Sequence, residues 1–141
     1  MRPAALSQRV LKLDGAFLLL SGGSSMIAET VGHFSGSGPF AKMKGSPYTI
    51  GSFEAHGLAA ISGVLLYRAA RVPERSLWHQ VGRAVHLLLA GSNMLYWSSF
   101  VKMDMLRAGI VTTLLHAVFV AAHSVCLRRR SVAATSVTAI N

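Results

Sequence analysis

Hydrophobic and polar positions along this chain are grouped into whole segments rather than alternating residue by residue. Four mostly apolar runs cover residues 13–34, 49–69, 80–100 and 106–127, and polar connections separate them. A helix of roughly 20 apolar residues is long enough to cross a bilayer. The pattern therefore predicts an all-α protein, an integral membrane bundle of four helices.

The connections between these runs contain three of the four prolines. Pro39, Pro47 and Pro73 all lie between predicted spans, where the missing backbone donor breaks no helix. The third connection, VKMDM, has neither proline nor glycine, so its turn is the least well defined. We expect residues 1–130 to form one membrane domain, and residues 131–141 to form a loose or surface-lying tail.

Composition agrees with a membrane location. Of the 141 residues, 52% are hydrophobic and only 13% are charged, and the mean hydropathy is +0.46. That charged share is about half of what soluble domains carry. The net charge of +9 comes from short clusters between apolar runs, not from a basic face interleaved with aromatics. The expected partner is thus a lipid bilayer and not a nucleic acid.

The distribution of Lys and Arg predicts the orientation. Ten of the fourteen belong to the side that holds both termini and the second connection. These ten are Arg2, Arg9, Lys12, Arg68, Arg71, Arg75, Arg83, Arg128, Arg129 and Arg130. The other side holds Lys42, Lys44, Lys102 and Arg107. Because cytoplasmic loops are enriched in Lys and Arg, both termini are expected in the cytoplasm. The expected location of the protein is a bacterial inner membrane.

Several polar side chains fall within the outer halves of the predicted spans. Burying an ionisable group at a helix centre costs roughly 2.5–3.5 kcal/mol, so such groups face the bundle interior or a wet cavity. At about 1.5 Å per residue, Glu29 and Glu54 lie roughly 7 Å below the outer ends, and His56 and Asn93 roughly 10 Å below. His33 lies one turn beyond Glu29 and can pair with it. We expect these groups to lie at about the same depth in the membrane.

This arrangement predicts first a binding or accessory protein without enzymatic activity. A cavity open to the outer leaflet would hold a lipid-like or quinone-like molecule or a partner helix. The residues expected to contact the ligand are Glu29, His33, Glu54, His56, Asn93, Trp97 and His116. Small residues at Gly51, Ala55, Ala59 and Gly63 would let a partner membrane protein or a second copy approach closely.

Two other functions stay open. The chain is alternatively a small membrane enzyme, of the isomerase or proton-relay type, with Glu54 or Glu29 as general acid/base. It is alternatively a haem- or metal-binding subunit, for which His86 and His116 are the candidate ligands. The sequence contains no HExxH, CxxC, GxxxxGK[ST], GxGxxG or GxSxG motif, so it names no cofactor.

The depths of the remaining polar residues lead to two further expectations. Asp14 and His123 lie near the cytoplasmic ends of their predicted spans, where water can solvate them. His86 and His116 lie on neighbouring spans and should differ in depth by roughly one and a half helical turns.

Two segments resemble a known family. The first span contains VLKLDGAFLLLSGG and the second contains FEAHGLAAISGVLLYRAAR, with a glutamate at its outer end and a basic inner end. With four short spans, this pattern is similar to the DoxX-like membrane proteins over the first three spans. The resemblance implies a four-helix membrane bundle, a role for Glu54, and an accessory or binding function linked in some members to quinone or thiol redox systems. With Cys126 as its single cysteine, the chain departs from a thiol-based version.

Overall fold

The computed structural model describes residues 3–138, and the side chains of residues 4–129. These residues are almost entirely helical and contain no strand. The helices are α1 (Pro3–Ser35), α2 (Thr49–Ala69), α3 (Ser76–Leu95), α4 (Trp97–Lys102) and α5 (Leu106–Thr138), with one turn of 3₁₀-helix at Ala41–Met43. The predicted all-α class is confirmed.

Three of the described helices are long and apolar enough to cross a membrane. They are Ala4–Ser35 of α1, Thr49–Ala69 of α2 and Leu106–Arg129 of α5. Helix α3 has 20 residues but includes polar residues such as Arg83 and His86, and its composition alone does not mark it as a span. The fold is thus all-helical with three candidate spans and a fourth, more polar helix.

The helix boundaries correct three of the sequence-based ranges. Helix α1 begins at Pro3, ten residues before the predicted span, because an apolar stripe continues through Leu6, Val10 and Leu11. The predicted span 80–100 is two helices, α3 and α4, separated at Tyr96. Helix α5 continues through Thr138, so residues 131–138 of the predicted tail extend this helix. Residues 139–141 lie outside the described residues.

The connection VKMDM makes its turn without glycine or proline. Asp104 takes the left-handed conformation there, with φ of 61°. Aspartate is one of the few residues besides glycine that adopts this conformation with little strain. This residue therefore closes the turn between α4 and α5 that the sequence left undefined.

The helices pack as two pairs, α1 on α2 and α3 on α5, and α1 also contacts α5. Glycines bring α1 and α2 close together: a Cβ atom on Gly15 would lie 2.5 Å from the backbone nitrogen of Tyr67. Ala59 and Gly63 of the predicted small-residue ladder are buried in this contact, whereas Gly51 and Ala55 are exposed. Ala59 and Gly63 thus contribute to packing within this chain.

The distribution of polarity is the reverse of that in a water-soluble domain. Leu20, Ile27, Leu88 and many other large apolar side chains are exposed, whereas Asp14 and Glu29 are completely buried. In water so much contiguous apolar surface would cause association. In a bilayer the same surface faces lipid, and the polar groups are sheltered inside.

Candidate functional site

The largest polar cluster lies where α1, α3 and α5 meet. His79 and His86 on α3 are seven residues apart, as are His116 and His123 on α5. Seven residues make about two helical turns, so each pair lies on one face of its helix. These faces point toward each other and toward Asp14 of α1, and all five residues are buried.

Asp14 is at the centre of the cluster. Its Oδ1 atom lies 2.6 Å from Nε2 of His86, and its Oδ2 atom lies 2.7 Å from Nε2 of His123. All three side chains have 0% exposure. Among the described side chains, neither Lys nor Arg pairs with this carboxylate, so histidines are its only ion-pair partners.

The two histidines that contact Asp14 each contact a further histidine through the other ring nitrogen. Nδ1 of His86 lies 2.9 Å from Nδ1 of His116, and Nδ1 of His123 lies 2.8 Å from Nδ1 of His79. These four imidazoles and the carboxylate form one continuous chain of hydrogen-bonding distances. The chain ends toward the N-terminus of α1 at Ser7, whose Oγ lies 2.7 Å from Nε2 of His79.

One assignment of protons gives every contact in this chain a donor and an acceptor. With Asp14 as a carboxylate, His86 and His123 donate from Nε2 and therefore accept at Nδ1 if they are neutral. His116 and His79 then donate from Nδ1. Each interaction is satisfied in this way, as buried polar groups require. With all four imidazoles neutral, this arrangement has one negative charge in the core.

A glycine provides the space for this cluster. Gly82 lies between His79 and His86 on the buried face of α3, and a Cβ atom there would lie 2.5 Å from Nε2 of His123 and 3.1 Å from Oδ2 of Asp14. Any side chain at this position would therefore displace the imidazole or the carboxylate. The cluster depends on a close approach of the α3 backbone.

Aromatic rings form the wall of the cluster toward the middle of the bundle. The ring of Phe119 stacks on His86 at a centroid distance of 4.9 Å, and Phe17 stacks on Phe119 at 5.2 Å. Apolar surroundings strengthen electrostatic interactions inside the site and limit access of water. The histidines are thus held in fixed orientations on this side.

The opposite end of the cluster opens into a cavity of about 210 Å³. Its lining includes Ser7, Arg75, His79, Cys126 and Arg129, near the end of the bundle that holds the N-terminus of α1. Of the four imidazoles in the chain of contacts, that of His79 lines this cavity.

A second, smaller polar cluster lies between α1 and α2 near their other ends. Oε1 of Glu29 accepts a hydrogen bond from the Ser52 hydroxyl and lies 2.8 Å from Nδ1 of His56. Glu29 has 0% exposure, and His56 is 36% exposed. His33 does not pair with Glu29; its Nδ1 lies 3.2 Å from Oγ1 of Thr49.

The other residues expected at this level lie apart from that cluster. Glu54 is exposed and bonds to none of the described side chains, because residues 52 and 56 face α1 and residue 54 lies about 200° from each. Asn93 donates instead to Oγ1 of Thr113, at 3.1 Å, between α3 and α5. Trp97 lies against Phe100. The structure thus brings Glu29 and His56 together, without Glu54, Asn93 or Trp97.

In the cluster around Asp14, the structure corrects both expectations about the depth of polar residues. Asp14 and His123 are completely buried and not solvated, since α1 and α5 continue well beyond the apolar runs. His86 and His116 are not offset in depth but in direct contact, because α4 and its turn shift the start of α5 relative to α3. Imidazoles 2.9 Å apart leave no room for a porphyrin between them, so the pair does not fit a bis-histidine haem.

Sequence reasoning missed Asp14, His79 and His123 as site residues. A signal for Asp14 was present, because Leu11, Asp14 and Leu18 recur at the spacing of one buried helix face. His79 lay just outside the predicted third span and was therefore not considered with the others.

Comparisons with known proteins give no relative. No known protein family matches the chain, and neither a curated protein nor a solved structure is significantly similar to it. The resemblance to DoxX-like proteins therefore stays a prediction.

Proposed function

We propose that this chain is a four-span protein of a bacterial inner membrane, with both termini in the cytoplasm. Two of the polar residues that lower the hydropathy of α3, His79 and His86, are buried and contact α1 or α5. Its outward positions include Leu77, Leu87 and Leu88, which are exposed. An apolar outer face with a polar inner face suits a helix that crosses the membrane inside a bundle.

We further propose that the protein is a metal-binding membrane subunit, in which Asp14, His86 and His123 hold one divalent transition-metal ion. The observation that carries this proposal is the convergence of three ligand atoms from three helices. One atom from each residue lies within 4.8 Å of the other two, and all three residues are completely buried.

The charge of the site supports a cation. A buried carboxylate is strongly unfavourable in low dielectric unless a positive charge compensates it, and among the described side chains neither Lys nor Arg pairs with Asp14. Two imidazole nitrogens and one carboxylate form a ligand set that suits Zn²⁺ or Fe²⁺ and leaves further coordination positions open. The divalent ion would reverse the local charge from negative to positive.

The two distances between the carboxylate and the imidazoles are compatible with metal coordination after a small adjustment. Ligand atoms around a tetrahedral ion at about 2.0–2.2 Å lie roughly 3.4 Å from each other. The carboxylate of Asp14 now lies 2.6 and 2.7 Å from the two imidazole nitrogens. Each contact would therefore lengthen by less than about 1 Å, which rotation of side chains can supply.

His116 and His79 lie where groups that hydrogen-bond to metal ligands usually lie. A metal-binding imidazole normally donates its other ring N–H to a neighbouring acceptor. His86 and His123 would donate from Nδ1 to His116 and His79, at the distances of 2.9 and 2.8 Å already present. The same contacts thus serve the metal-bound state with the opposite tautomers.

Titration with Co²⁺ tests this function. Purified protein that has been treated with a chelator should bind one Co²⁺ ion, with visible absorption bands from nitrogen and oxygen ligands. His86→Ala and His123→Ala should abolish the bands. His33→Ala changes a histidine that contacts Thr49, away from Asp14, and should retain them. If the native protein binds no Co²⁺, or His33→Ala is equally defective, the proposed metal centre is wrong.

A further inference from the structure

Positive charge lines the cavity at the end of the bundle that holds the N-terminus of α1. Arg75, just before α3, and Arg129, in α5, both belong to the lining of this cavity of about 210 Å³. No described aspartate or glutamate belongs to it. Clefts that are lined by charges of one sign and have apolar walls raise the local concentration of ions of the opposite sign. This cavity should therefore attract anions.

Neither arginine is paired with a carboxylate among the side chains of residues 4–129. The ion pairs in that part of the chain all join a histidine to a carboxylate. Glu74 precedes Arg75 in the sequence, but its Oε1 accepts a hydrogen bond from the backbone N–H of Ser76 at 2.9 Å, and it does not line the cavity. A bound anion would thus be the group that compensates the two guanidinium charges.

The guanidinium group of Arg75 is held in place by the end of α2. Its Nε donates a hydrogen bond to the backbone oxygen of Ala70 at 3.1 Å, and Ala70 is completely buried. A guanidinium has five N–H donors, so four remain on the two Nη atoms for a ligand. Because the side chain is already fixed, binding a ligand costs less conformational entropy than it would with a free arginine.

The polar groups of the lining suit a phosphate group. The planar guanidinium of arginine matches two phosphate oxygens at once. The Ser76 hydroxyl also lines the cavity and can donate a hydrogen bond, whereas the Ser7 hydroxyl already lies 2.7 Å from Nε2 of His79. A cavity of about 210 Å³ is smaller than the roughly 300–1,000 Å³ of most small-molecule sites, so it suits one such group.

The cavity can be reached from the surface of the protein. Ala4, Pro73 and Arg129, all in its lining, are exposed. In the proposed topology this end of the bundle lies at the cytoplasmic face of the membrane. Both the phosphates of lipid head groups and free phosphate are present there.

We infer that Arg75, Ser76 and Arg129 bind a phosphate group in this cavity. The two guanidinium groups compensate its charge, and their N–H groups and the Ser76 hydroxyl donate hydrogen bonds to its oxygens. A phospholipid head group and free phosphate present the same oxygens, so either can be the source of the group. The site includes none of the three proposed metal ligands and needs no metal ion, so either proposal can fail without the other.

Titration calorimetry on the full-length protein in neutral detergent tests the inference. The probes are inorganic phosphate, dihexanoyl phosphatidic acid and dihexanoylglycerol, each corrected for its heat of mixing with empty micelles, and EDTA keeps metal ions from binding the phosphate. We expect saturable binding of one phosphate compound per chain. A Kd about tenfold or more lower for phosphatidic acid than for inorganic phosphate indicates a lipid ligand, and a smaller difference indicates free phosphate. If neither compound binds, or dihexanoylglycerol binds equally well, the inference is wrong.

Two pairs of variants with the same chemical change locate the site. Arg129→Gln and Arg75→Gln should each raise the Kd for the bound phosphate compound by about tenfold or more, because each removes a charged donor. Arg128→Gln and Arg71→Gln remove the same charge at exposed positions outside the lining and should leave the Kd unchanged. An equal increase within both pairs would indicate general attraction to a basic surface, and no increase in any variant would exclude the site; either result overturns the inference.

A measurement on the native protein covers the case in which Arg75→Gln does not fold. Arginines are modified with phenylglyoxal, with and without a saturating amount of the phosphate compound that binds more tightly, and each site is quantified by fragment-ion mass spectrometry. We expect the compound to slow modification of Arg75 and Arg129 by about tenfold, and to leave Arg71 and Arg128 unchanged. Equal protection of all four arginines, or of none, would overturn the inference.

Discussion

Nε2 of His86 lies 2.6 Å from Oδ1 of Asp14, although 72 residues separate the two in the chain. This contact joins two helix pairs that otherwise pack mainly within themselves, α1 with α2 and α3 with α5. The contact of Asp14 with His123 joins the same pairs a second time. The residues of the proposed metal centre therefore also connect the two helix pairs.

Metal binding should accordingly stabilise the whole fold. A ligand that binds only the folded state at 100 times its Kd adds about 2.7 kcal/mol to the free energy of unfolding. We expect Zn²⁺ to raise the thermal midpoint of chelator-treated protein. Mg²⁺ prefers oxygen ligands and should leave it unchanged, which makes it the control. Equal midpoints with and without Zn²⁺ would argue against an ion shared by the two pairs.

Substitution of Gly82 should destroy the centre without removing any ligand. Alanine normally stabilises a helix by about 1 kcal/mol relative to glycine, but here its Cβ would lie 2.5 Å from Nε2 of His123. We expect Gly82→Ala to lower the free energy of unfolding by about 1–3 kcal/mol and to weaken Co²⁺ binding by about tenfold or more.

Gly91 on the same helix provides the matched control for this substitution. A Cβ atom there would meet nothing within 4 Å, so Gly91→Ala should retain Co²⁺ binding and leave stability the same or higher. Gly82→Ala and Gly91→Ala could instead have the same effect on Co²⁺ binding and stability. In that case the close approach of the α3 backbone to His123 would not be what shapes the site.

His116 and His79 should affect how tightly the metal binds, but not whether it binds. Loss of a second partner of a metal ligand typically costs about 10- to 100-fold in affinity. We expect His116→Ala and His79→Ala each to raise the Kd for Co²⁺ by that factor while the stoichiometry stays at one. Complete loss of binding in either variant would make that histidine a ligand, and an unchanged Kd would remove it from the site.

The predicted topology can be tested with single cysteines. Cys126 is replaced by serine, and one cysteine is placed at Ser37, Val72 or Asp104, all exposed positions between helices. A membrane-impermeant maleimide should label positions 37 and 104 in intact spheroplasts, and position 72 only after lysis. If α3 does not cross the membrane, positions 72 and 104 will instead label from the same side.

Several features of the fold and the site could be predicted from the sequence because they depend on residues close together in the chain. The long apolar runs indicated α1, α2 and α5. The seven-residue spacing of His116 and His123 is enough to place both on one face of α5. Such predictions need only the period of a helix, which the order of residues already contains.

The composition of the two polar clusters could not be predicted, because it depends on the relative depth and rotation of helices. Treating the apolar run as the whole helix placed Asp14 near water, whereas α1 extends to Pro3 and buries it. Depth alone grouped Glu54 with Glu29, but the two neighbours of Glu54 at positions 52 and 56 are the ones that face α1. The side of a helix that meets a neighbour is set by tertiary packing.

The metal content of purified protein tests the central claim most directly. Protein purified without chelators is analysed by inductively coupled plasma mass spectrometry, together with Asp14→Asn and the exposed-site control Asp104→Asn. The account predicts about one transition-metal ion per native chain. Asp104→Asn should contain the same amount, and Asp14→Asn close to none. A metal-free native protein that also takes up no metal when supplied with it, or equal metal in both variants, would contradict the account.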